Sequence, residues 1–429
     1  MDNIFETKEY KRSRKAYMTQ CTVEYFVSCL VADAFLAKLL THLGFSDALT
    51  GIISSFVTLA FMFQLLSVFL VKKMRNTKRT VIFFDSLSQV FFMSIYIVPF
   101  LSVSREIKTL LVVGAILTAY IFKYLVIGVY FKWANSFVDP TKRATYSAKK
   151  EMISLITGIA FTLLVGYAMD GFEASGNIEG SFIFLSVVLL VLNISNFVSL
   201  ILIARDQTDD EPKEDTTSLR MVAKNTFKNK NFVNVVILTI IWDVGRYASI
   251  GFLGTFKTND LLMTVGLVQV INMLSSLARF FVSIPFGKFS DKTSFATGIK
   301  VALIIVAVGF GFNMFTTPAT WWCIVVYTVC YSVGLAGLNQ NMFNISYSYV
   351  PKEYVVQAMA IKNSIGGILG FGATLLASRF MEFIQARENM IFGIHLYGQQ
   401  ILSGISFVIL LGGAIFVHKV IEKQKVMIQ

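Results

Sequence analysis

The sequence has few of the residue types on which most catalytic and metal sites depend. Its 429 residues include only three histidines, His42, His395 and His418, and the four cysteines form no CxxC pair. The metalloprotease HExxH, the hydrolase GxSxG and the phosphate-binding G-x-x-x-x-G-K-[ST] patterns do not occur. These absences argue against an enzyme and against ATP-driven chemistry, and we expect neither a cofactor nor a metal ion.

Charged residues are also scarce, whereas apolar runs are long. Charged residues make up 15% of the chain, hydrophobic residues 55%, and the mean hydropathy is +0.65. Ala48–Val71 and Ser181–Ala204 carry no formal charge, and Val301–Pro351 lacks Asp, Glu, Lys, Arg and His. The last of these runs is long enough for two crossings of ~20 residues each, with Thr316–Thr320 as the turn. The sequence therefore predicts a polytopic membrane protein. Met1–Tyr17 is too polar for a signal peptide, so no cleaved signal is expected.

One long polar stretch, Arg205–Asn231, interrupts these apolar runs near the middle of the chain. Its acids lie mostly in Asp206–Asp215 and its bases mostly after them, and it has too little apolar surface to fold alone. Apolar residues between Leu219 and Phe227 fall at helical spacing among the bases. That pattern is typical of a basic helix on an anionic membrane surface, and a solvated linker is the alternative. Either way, the stretch divides the chain into two halves.

Twelve transmembrane helices are predicted, six on each side of this stretch. They lie near 18–42, 46–71, 81–104, 107–137, 149–169, 181–204, 232–255, 261–286, 294–315, 319–349, 357–380 and 397–418. The fold class is all-α, built as two six-helix bundles. The predicted organisation is an N-terminal segment 1–17, an N-terminal bundle 18–204, a linker 205–231, a C-terminal bundle 232–418 and a tail 419–429.

The distribution of basic residues predicts the orientation of these helices. Most Lys and Arg lie in segments on the side of the N-terminus, and the opposite loops contain only Arg105, Lys108, Lys257 and Arg387. Because basic loops stay in the cytoplasm, both termini and the linker are predicted to be cytoplasmic, in a multi-pass plasma-membrane protein. The formal net charge of +12 then reflects the bases of the cytoplasmic segments, which set the orientation of the helices. No nucleic-acid partner is expected, because the chain lacks a folded basic surface outside the membrane.

The two halves also resemble each other in sequence. Lys150–Leu164 reads KEMISLITGIAFTLL and Lys362–Leu376 reads KNSIGGILGFGATLL, with Lys, Ile, Ile, Gly, Thr, Leu and Leu coinciding. Because six helices precede the second half, both halves enter the membrane from the same face. The predicted repeat is therefore parallel, with a pseudo-two-fold axis along the membrane normal.

A short motif after the eighth helix carries a family resemblance. Gly287–Lys292 reads GKFSDK and resembles the G-x-x-x-D-[RK] loop of the major facilitator superfamily, which makes Gly287, Asp291 and Lys292 candidate gating residues. The family pattern continues with a second Gly and two bases, whereas this chain has Ser294, Phe295 and Ala296. In the equivalent loop of the first half, Asn76 stands where the Asp would be.

The resemblance implies a secondary transporter that works by alternating access around a cavity lined by the first, fourth, seventh and tenth helices. We expect a monomer in contact with membrane lipid that imports a small polar organic solute, possibly a sugar or glycoside, with H⁺ or Na⁺. A proton-driven exporter of amphipathic compounds is the alternative, followed by a non-transporting receptor with the same fold.

Ionisable residues at membrane depth are the first candidates for the site, because a charge facing lipid is costly. Asp33 on the first helix and Lys123 on the fourth are predicted at similar depth, as a possible ion pair. Glu24 lies about 180° around the helix from Asp33, so the two carboxylates do not share a face. Asp243 and Arg246 are three residues apart on the seventh helix and can pair there. Ion pairs that only hold the bundle together are the alternative.

Neutral polar residues complete the candidate set. Amides, an indole and the phenols Tyr327 and Tyr331 supply donors and acceptors that suit a hydroxyl-rich solute. Hydrogen bonding between helices is the alternative for each of them. The candidates are Trp242, Gln269, Asn272, Asn339, Gln340 and Asn341.

Overall fold

The computed structural model describes residues 4–66, 76–139, 143–205, 219–350, 355–391 and 393–424. These residues are almost entirely helical, as the apolar runs predict. The described α-helices longer than one turn are α1 (Lys8–Leu30), α2 (Asp33–His42), α3 (Asp47–Ser54), α4 (Phe56–Ala60), α5 (Thr77–Ser94), α6 (Arg105–Ser136), α7 (Arg143–Ala174), α8 (Ile178–Leu202), α9 (Leu219–Thr226), α10 (Lys230–Tyr247), α11 (Val265–Lys292), α12 (Phe295–Asn313), α13 (Trp322–Tyr347), α14 (Val355–Gln385) and α15 (Gly398–Lys419).

Shorter elements connect these helices. The helical path of α10 continues through single turns to a π-helix at Phe256–Asp260. A two-residue hairpin lies between α14 and α15, formed by β1 (Met390–Ile391) and β2 (Ile394–His395), which pair antiparallel.

Several helices begin at a residue whose side chain caps the first turn. The side chains of Ser46, Asn76, Thr264 and Ser294 each accept a hydrogen bond from the backbone N–H three residues later. Such caps satisfy one of the N–H groups that a helix leaves without an internal partner. Asn76, which stands at the motif position of the first half, is therefore the N-cap of α5.

The predicted first helix is broken into α1 and α2. Asp33 adopts a φ of +47°, in the left-handed region that non-glycine residues seldom occupy, and the helix restarts there. The carbonyl of Leu30, which the break removes from the regular helical ladder, accepts a hydrogen bond from the hydroxyl of Tyr96. A depth estimate that treats residues 18–42 as one straight helix therefore does not apply to Asp33.

Contacts between residues divide the chain into two compact units. The first contains Met1–Phe45 and Phe63–Thr216, and the second contains Ser46–Met62 and Thr217–Gln429. Ser46–Met62, which the sequence assigns to the N-terminal bundle, thus clusters with the second unit. The domain boundaries drawn from the sequence stay a prediction.

Hydrogen bonds show why α3 and α4 cluster with the second unit. Three hydroxyls of α14 reach this segment: Ser378 donates to the Ala48 carbonyl (3.2 Å), Thr374 to the Ser55 hydroxyl (3.1 Å) and Ser364 to the Phe61 carbonyl (3.1 Å). These bonds follow one face of α14 over several turns. Such polar side chains between apolar helices are typical of helix packing inside membranes.

Among the described residues, ten helical spans are long and apolar enough to cross a membrane. The first and third predicted segments are helical but are not among the ten. Charged residues are frequent in the first half of α1, and α5 includes Lys78, Arg79 and Asp85 within 18 residues. The count of twelve and the pseudo-two-fold repeat therefore stay predictions.

Two short polar segments differ in part from their sequence-based description. In the linker, Leu219–Thr226 is helical, as the spacing predicts, although its position on a membrane stays a prediction. Gly287–Lys292, taken as a loop, forms the last turns of α11, which ends at Lys292. The link between α11 and α12 consists of Thr293 and Ser294, because the Ser294 cap starts the next helix at once.

Candidate functional site

The first unit contains a partly buried ion pair beside a cavity of about 390 Å³. Lys123 Nζ lies 2.7 Å from Glu24 Oε1, and the two side chains are 18% and 21% exposed. Gln20 donates to the other carboxylate oxygen at 3.2 Å, and Tyr130 donates to Gln20. Both Glu24 and Lys123 line the cavity. The carboxylate is thus held by one cation and one amide on helices α1 and α6.

A second lysine reaches the same cavity from α7. Lys150 Nζ donates to the hydroxyl of Tyr17 at 3.1 Å and lies 4.7 Å from the centre of that ring. Its charge also acts on Glu24. A cation over an aromatic face is attracted by the ring quadrupole. The acid on α1 therefore has two basic neighbours.

Asp85 on α5 is the second buried carboxylate of this unit. It is 8% exposed and accepts a hydrogen bond from Asn196 Nδ2 at 2.5 Å. The charges of Glu24 and Lys123 both act on it. Two acids thus share the field of Lys123, an arrangement in which a change of charge at one affects the other.

The second unit contains a cavity of about 370 Å³ with a mixed lining. An indole, two amides, an acid and two bases are combined with apolar side chains. The polar lining residues are Thr239, Trp242, Asp243, Arg246, Asn339, Lys362 and Asn363, and the apolar ones are Phe61, Leu338, Met342, Phe343 and Met359. A few polar groups in a largely apolar cleft are typical of a small-molecule site.

Asp243 and Arg246 form the ion pair that their spacing on α10 predicts. Asp243 Oδ1 accepts from Arg246 Nε at 3.1 Å and from Nη2 at 2.8 Å. The guanidinium lies 4.3 Å from the ring centre of Tyr247 and 5.0 Å from that of Trp242. Trp242 in turn stacks on Tyr331, with centroids 6.3 Å apart. The pair is therefore enclosed by aromatic rings that fix the guanidinium plane.

Lys362 and Gly366 of α14 complete the surroundings of Asp243. Lys362 is 6% exposed, donates to Ser346 Oγ at 3.2 Å, and its charge acts on Asp243. A Cβ on Gly366 would lie 2.2 Å from Asp243 Oδ2, far inside van der Waals contact. Only glycine leaves room for the carboxylate at this position. Asp243 on α10 thus has two basic neighbours, Arg246 on the same helix and Lys362 on α14.

The structure changes the partner of one predicted site residue. Lys123, expected beside Asp33, pairs with Glu24 instead, so that pairing was wrong. The reason is the break between α1 and α2, which places Asp33 at the start of a separate helix. Glu24, which the spacing set apart from Asp33, is the carboxylate that lines the cavity. Whether Asp33 itself takes part in transport stays a prediction.

The predicted neutral residues fall into separate places. Trp242 and Asn339 line the cavity of the second unit. Asn341 donates to Ser290 Oγ at 2.8 Å and so ties α13 to α11. Gln269 is buried within α11, where Asn272 Nδ2 lies 3.5 Å from its side-chain oxygen. The side chain of Gln340 lies outside the described part of the chain.

Two residues that the candidate set omitted have a signal in the sequence repeat. Lys150 and Lys362 are the first residues of the two matching segments, and each approaches an acid on another helix of its own unit. The repeat could have nominated both lysines. Asn363 and Asp85 carry no comparable signal, because a single amide or acid in an apolar run does not identify its neighbours.

No metal site emerges from the residues that the structure describes. No group of three or more His, Cys, Asp or Glu is placed to hold a metal ion there. The four cysteines are free thiols, and Cys21 lines the cavity of the first unit. What these residues can do chemically is bind a polar solute and exchange protons or cations at carboxylates.

A helical protein with ten apolar spans and polar, charged cavities belongs to the class of membrane proteins that handle small solutes. The family model of the Major Facilitator Superfamily matches residues 21–374. The chain therefore belongs to the Major Facilitator Superfamily and is a transporter, not an enzyme. The resemblance seen in Gly287–Lys292 is confirmed.

Solved transporter structures share this fold. A mutant of the nucleoside transporter NupG superposes with a TM-score of 0.72 at 12% identity, covering 94% of this chain and 99% of its own. A D-xylose-proton symporter superposes with a TM-score of 0.69 at 10% identity, and the match covers 95% of this chain and 97% of the symporter. A bacterial homologue of the iron transporter ferroportin in an inward-facing state superposes with a TM-score of 0.66 at 13% identity. The match covers 96% of this chain and 98% of the homologue. No curated protein matches the sequence. At these identities the likeness concerns the fold alone.

Proposed function

We propose that the protein is a secondary active transporter that imports a small polar organic solute, a sugar or glycoside, across the plasma membrane by alternating access. We further propose that H⁺ or Na⁺ is the coupling ion. The observation that carries the proposal is the cavity of the second unit. Its volume of about 370 Å³ lies in the range of small-molecule pockets.

The lining of that cavity supports a hydroxyl-rich substrate. Asn339 and Asn363 offer amide donors and acceptors, and the indole of Trp242 offers a flat apolar face. The charges of Asp243 and Arg246 are already paired with each other, so they can bind hydroxyl groups without requiring a charged substrate. Nucleoside and xylose-proton transporters are among the proteins with the same fold, and both solutes carry a sugar ring.

Buried carboxylates support an ion-coupled cycle. Glu24, Asp85 and Asp243 are largely buried acids, and each has a cationic or amide partner that a proton or Na⁺ would compete with. If a cation bound at Glu24 or Asp243, the basic partner, Lys123 or Arg246, would be released from its ion pair. The released side chain could then pair with another acceptor. Such an exchange links ion binding to rearrangement of helices.

One observation favours the export of amphipathic compounds as the second candidate. Met342 and Met359 lie in the same cavity as Phe61 and Phe343. Methionine and phenylalanine provide adaptable apolar surface, which suits varied hydrophobic solutes. Proton-driven export therefore remains the alternative.

The test compares uptake and resistance in cells that lack their own transporters of both kinds. Expression should accelerate uptake of one radiolabelled sugar or glycoside, and a Trp242→Ala variant should lose this uptake at unchanged expression. Trp321→Ala is the matched control, because Trp321 is 44% exposed and lies outside the cavity.

Accumulation driven by an imposed H⁺ or Na⁺ gradient in proteoliposomes would identify the ion. Efflux of amphipathic compounds without any sugar uptake would replace the proposal with its alternative. Ligand binding without flux in either direction would identify a receptor.

A further inference from the structure

The groove between α1 and α8 combines a row of bases with a row of apolar side chains. Its volume is about 720 Å³, and it lies within the first unit, away from Glu24 and Lys123. We propose that it binds one anionic phospholipid, with the phosphate on the bases of α1 and an acyl chain on α8. This inference goes beyond the transport function and does not depend on the solute.

The basic side of the groove is a continuous stripe on one face of α1. Lys8, Lys11, Arg12 and Lys15 follow the i, i+3, i+4, i+7 spacing, which places them within one face of the helix. All four are exposed. The opposite face of α1 is buried. Because that face packs against the rest of the unit, the bases face the groove.

The electrostatics of this face favour an anion. These four cations, together with Arg14, lie in the first two turns of α1, where the positive end of the helix dipole already disfavours positive charge. Lys11 pairs with Glu6 at 3.0 Å, but both side chains are more than half exposed, and such surface pairs contribute little. Among the described residues, Lys8, Arg12 and Lys15 have no carboxylate within ion-pair distance. A phosphate would relieve the repulsion among these bases.

The apolar side of the groove is a stripe on α8. Ile194, Val198 and Leu202 are spaced by four residues and are 56%, 47% and 41% exposed. The hydroxyls of Ser195 and Ser199 between them donate to backbone carbonyls of α8, at 2.9 and 2.7 Å. The floor of the groove is therefore apolar in effect. Such a surface fits an acyl chain and not a soluble anion.

The two sides are held at a fixed separation. Ser13 accepts a hydrogen bond from the Ala204 backbone N–H at 3.0 Å, just after α8 ends. Lys78 donates to the carbonyls of Ile201 and Ile203 at 2.6 and 2.5 Å, which satisfies the C-terminal end of α8. The groove is thus formed before any lipid binds, which reduces the entropic cost of binding.

The test measures thermal stability of the purified full-length protein in detergent. Dioleoylphosphatidylglycerol should raise the melting temperature in a saturable manner, and dioleoylphosphatidylcholine with the same chains should not. In a variant with Lys8, Lys11, Arg12 and Lys15 all changed to Gln, half-saturation should need at least about tenfold more phosphatidylglycerol. The matched control changes Lys288, Arg379, Arg387 and Lys419 to Gln, which removes the same number of charges from exposed positions of the second unit.

A second variant tests the apolar side without touching the charges. Val198→Trp fills the acyl half of the groove at a position that is 47% exposed, so folding should be unaffected while phosphatidylglycerol binding weakens. Glycerol phosphate, which has the head group without chains, should give no comparable shift. Equal loss in the two quadruple variants would overturn the proposal in favour of general charge attraction. An undiminished shift in Val198→Trp, or a full shift with glycerol phosphate, would overturn the lipid assignment.

Discussion

At the scale of single residues, Glu24 and Lys123 hold the polar centre of the first unit. Their 2.7 Å contact lies among apolar helices, where a lone charge has few ways to be solvated. Asp243 and Arg246 play the corresponding part in the second unit at 2.8 Å. Removing one member of such a pair leaves an uncompensated charge, whereas removing both leaves none. This asymmetry separates a structural role from a functional one.

We predict that Lys123→Met alone destabilises the protein by up to about 3 kcal/mol, and that Lys123→Met combined with Glu24→Gln recovers most of this loss. Thermal unfolding in detergent measures the stability, and uptake in proteoliposomes measures the activity. The exposed pair of Arg379 and Glu382 is the control, and Arg379→Met should have a small effect. If the double variant regains stability but not uptake, the pair serves transport. A double variant as unstable as the single one contradicts the assignment of a buried pair.

Gly366 provides a second test at the residue scale. Gly366→Ala should destabilise the protein and impair uptake, because the added Cβ would lie 2.2 Å from Asp243 Oδ2. Gly372→Ala on the same helix is the matched control, since a Cβ there meets no atom within 4 Å. An exposed Gly→Ala change within a helix stabilises by about 0.5–1 kcal/mol. Similar melting temperatures for the two variants would mean that α14 does not approach Asp243 this closely.

At the scale of elements, the short helices near Asp47 depend on polar contacts with neighbouring segments. Asp47, at the start of α3, accepts from Asn259 Nδ2 at 3.0 Å and from Gln385 Nε2 at 2.6 Å. These bonds join α3 to the π-helix and to the end of α14. They explain why α3, near the start of the chain, packs with elements more than two hundred residues later.

Asp47→Ala should therefore lower stability by about 1–3 kcal/mol, because two buried or half-buried amides lose their acceptor. Thr50→Val on the same helix is the control. The Thr50 hydroxyl is buried and has no hydrogen-bond partner among the described residues, so its removal should be neutral or slightly stabilising. Thermal unfolding of the two variants gives the comparison. Equal stability of Asp47→Ala and the unmodified protein would show that these contacts contribute nothing.

At the scale of the whole molecule, orientation in the membrane is a prediction from the basic residues alone. Asn76, at the start of α5, and Thr216, in the linker beyond the described residues, are expected in the cytoplasm. Gly176, between α7 and α8, is expected outside. Single cysteines at these positions, in a background without the four native cysteines, can be labelled in intact cells with a membrane-impermeant maleimide. Labelling of Gly176→Cys but not of the other two is the expected result, and the reverse pattern would invert the topology.

The part of the site that lies on a single helix could be predicted from the sequence. Contacts between different helices could not. Asp243 and Arg246 were predictable as a pair because three residues on one helix fix the geometry locally. Lys123 was predictable as a buried charge, but its partner was not, because partners on different helices depend on where each helix bends. The break at Asp33 could not be read from residues 18–42, which form one uninterrupted apolar-rich segment with no Gly or Pro.

The sequence by itself determined the helical membrane class, the polar stretch between the halves and the family. Those properties depend on composition, on runs that must satisfy their backbone hydrogen bonds within helices, and on a short motif. Only the tertiary structure decided that Lys123 pairs with Glu24, that Lys362 approaches Asp243, and that Ser46–Met62 packs on α14. Each of these joins residues far apart in the chain. Their contacts follow from helix bends, small residues and hydrogen bonds between helices, which the order of residues along one helix does not specify.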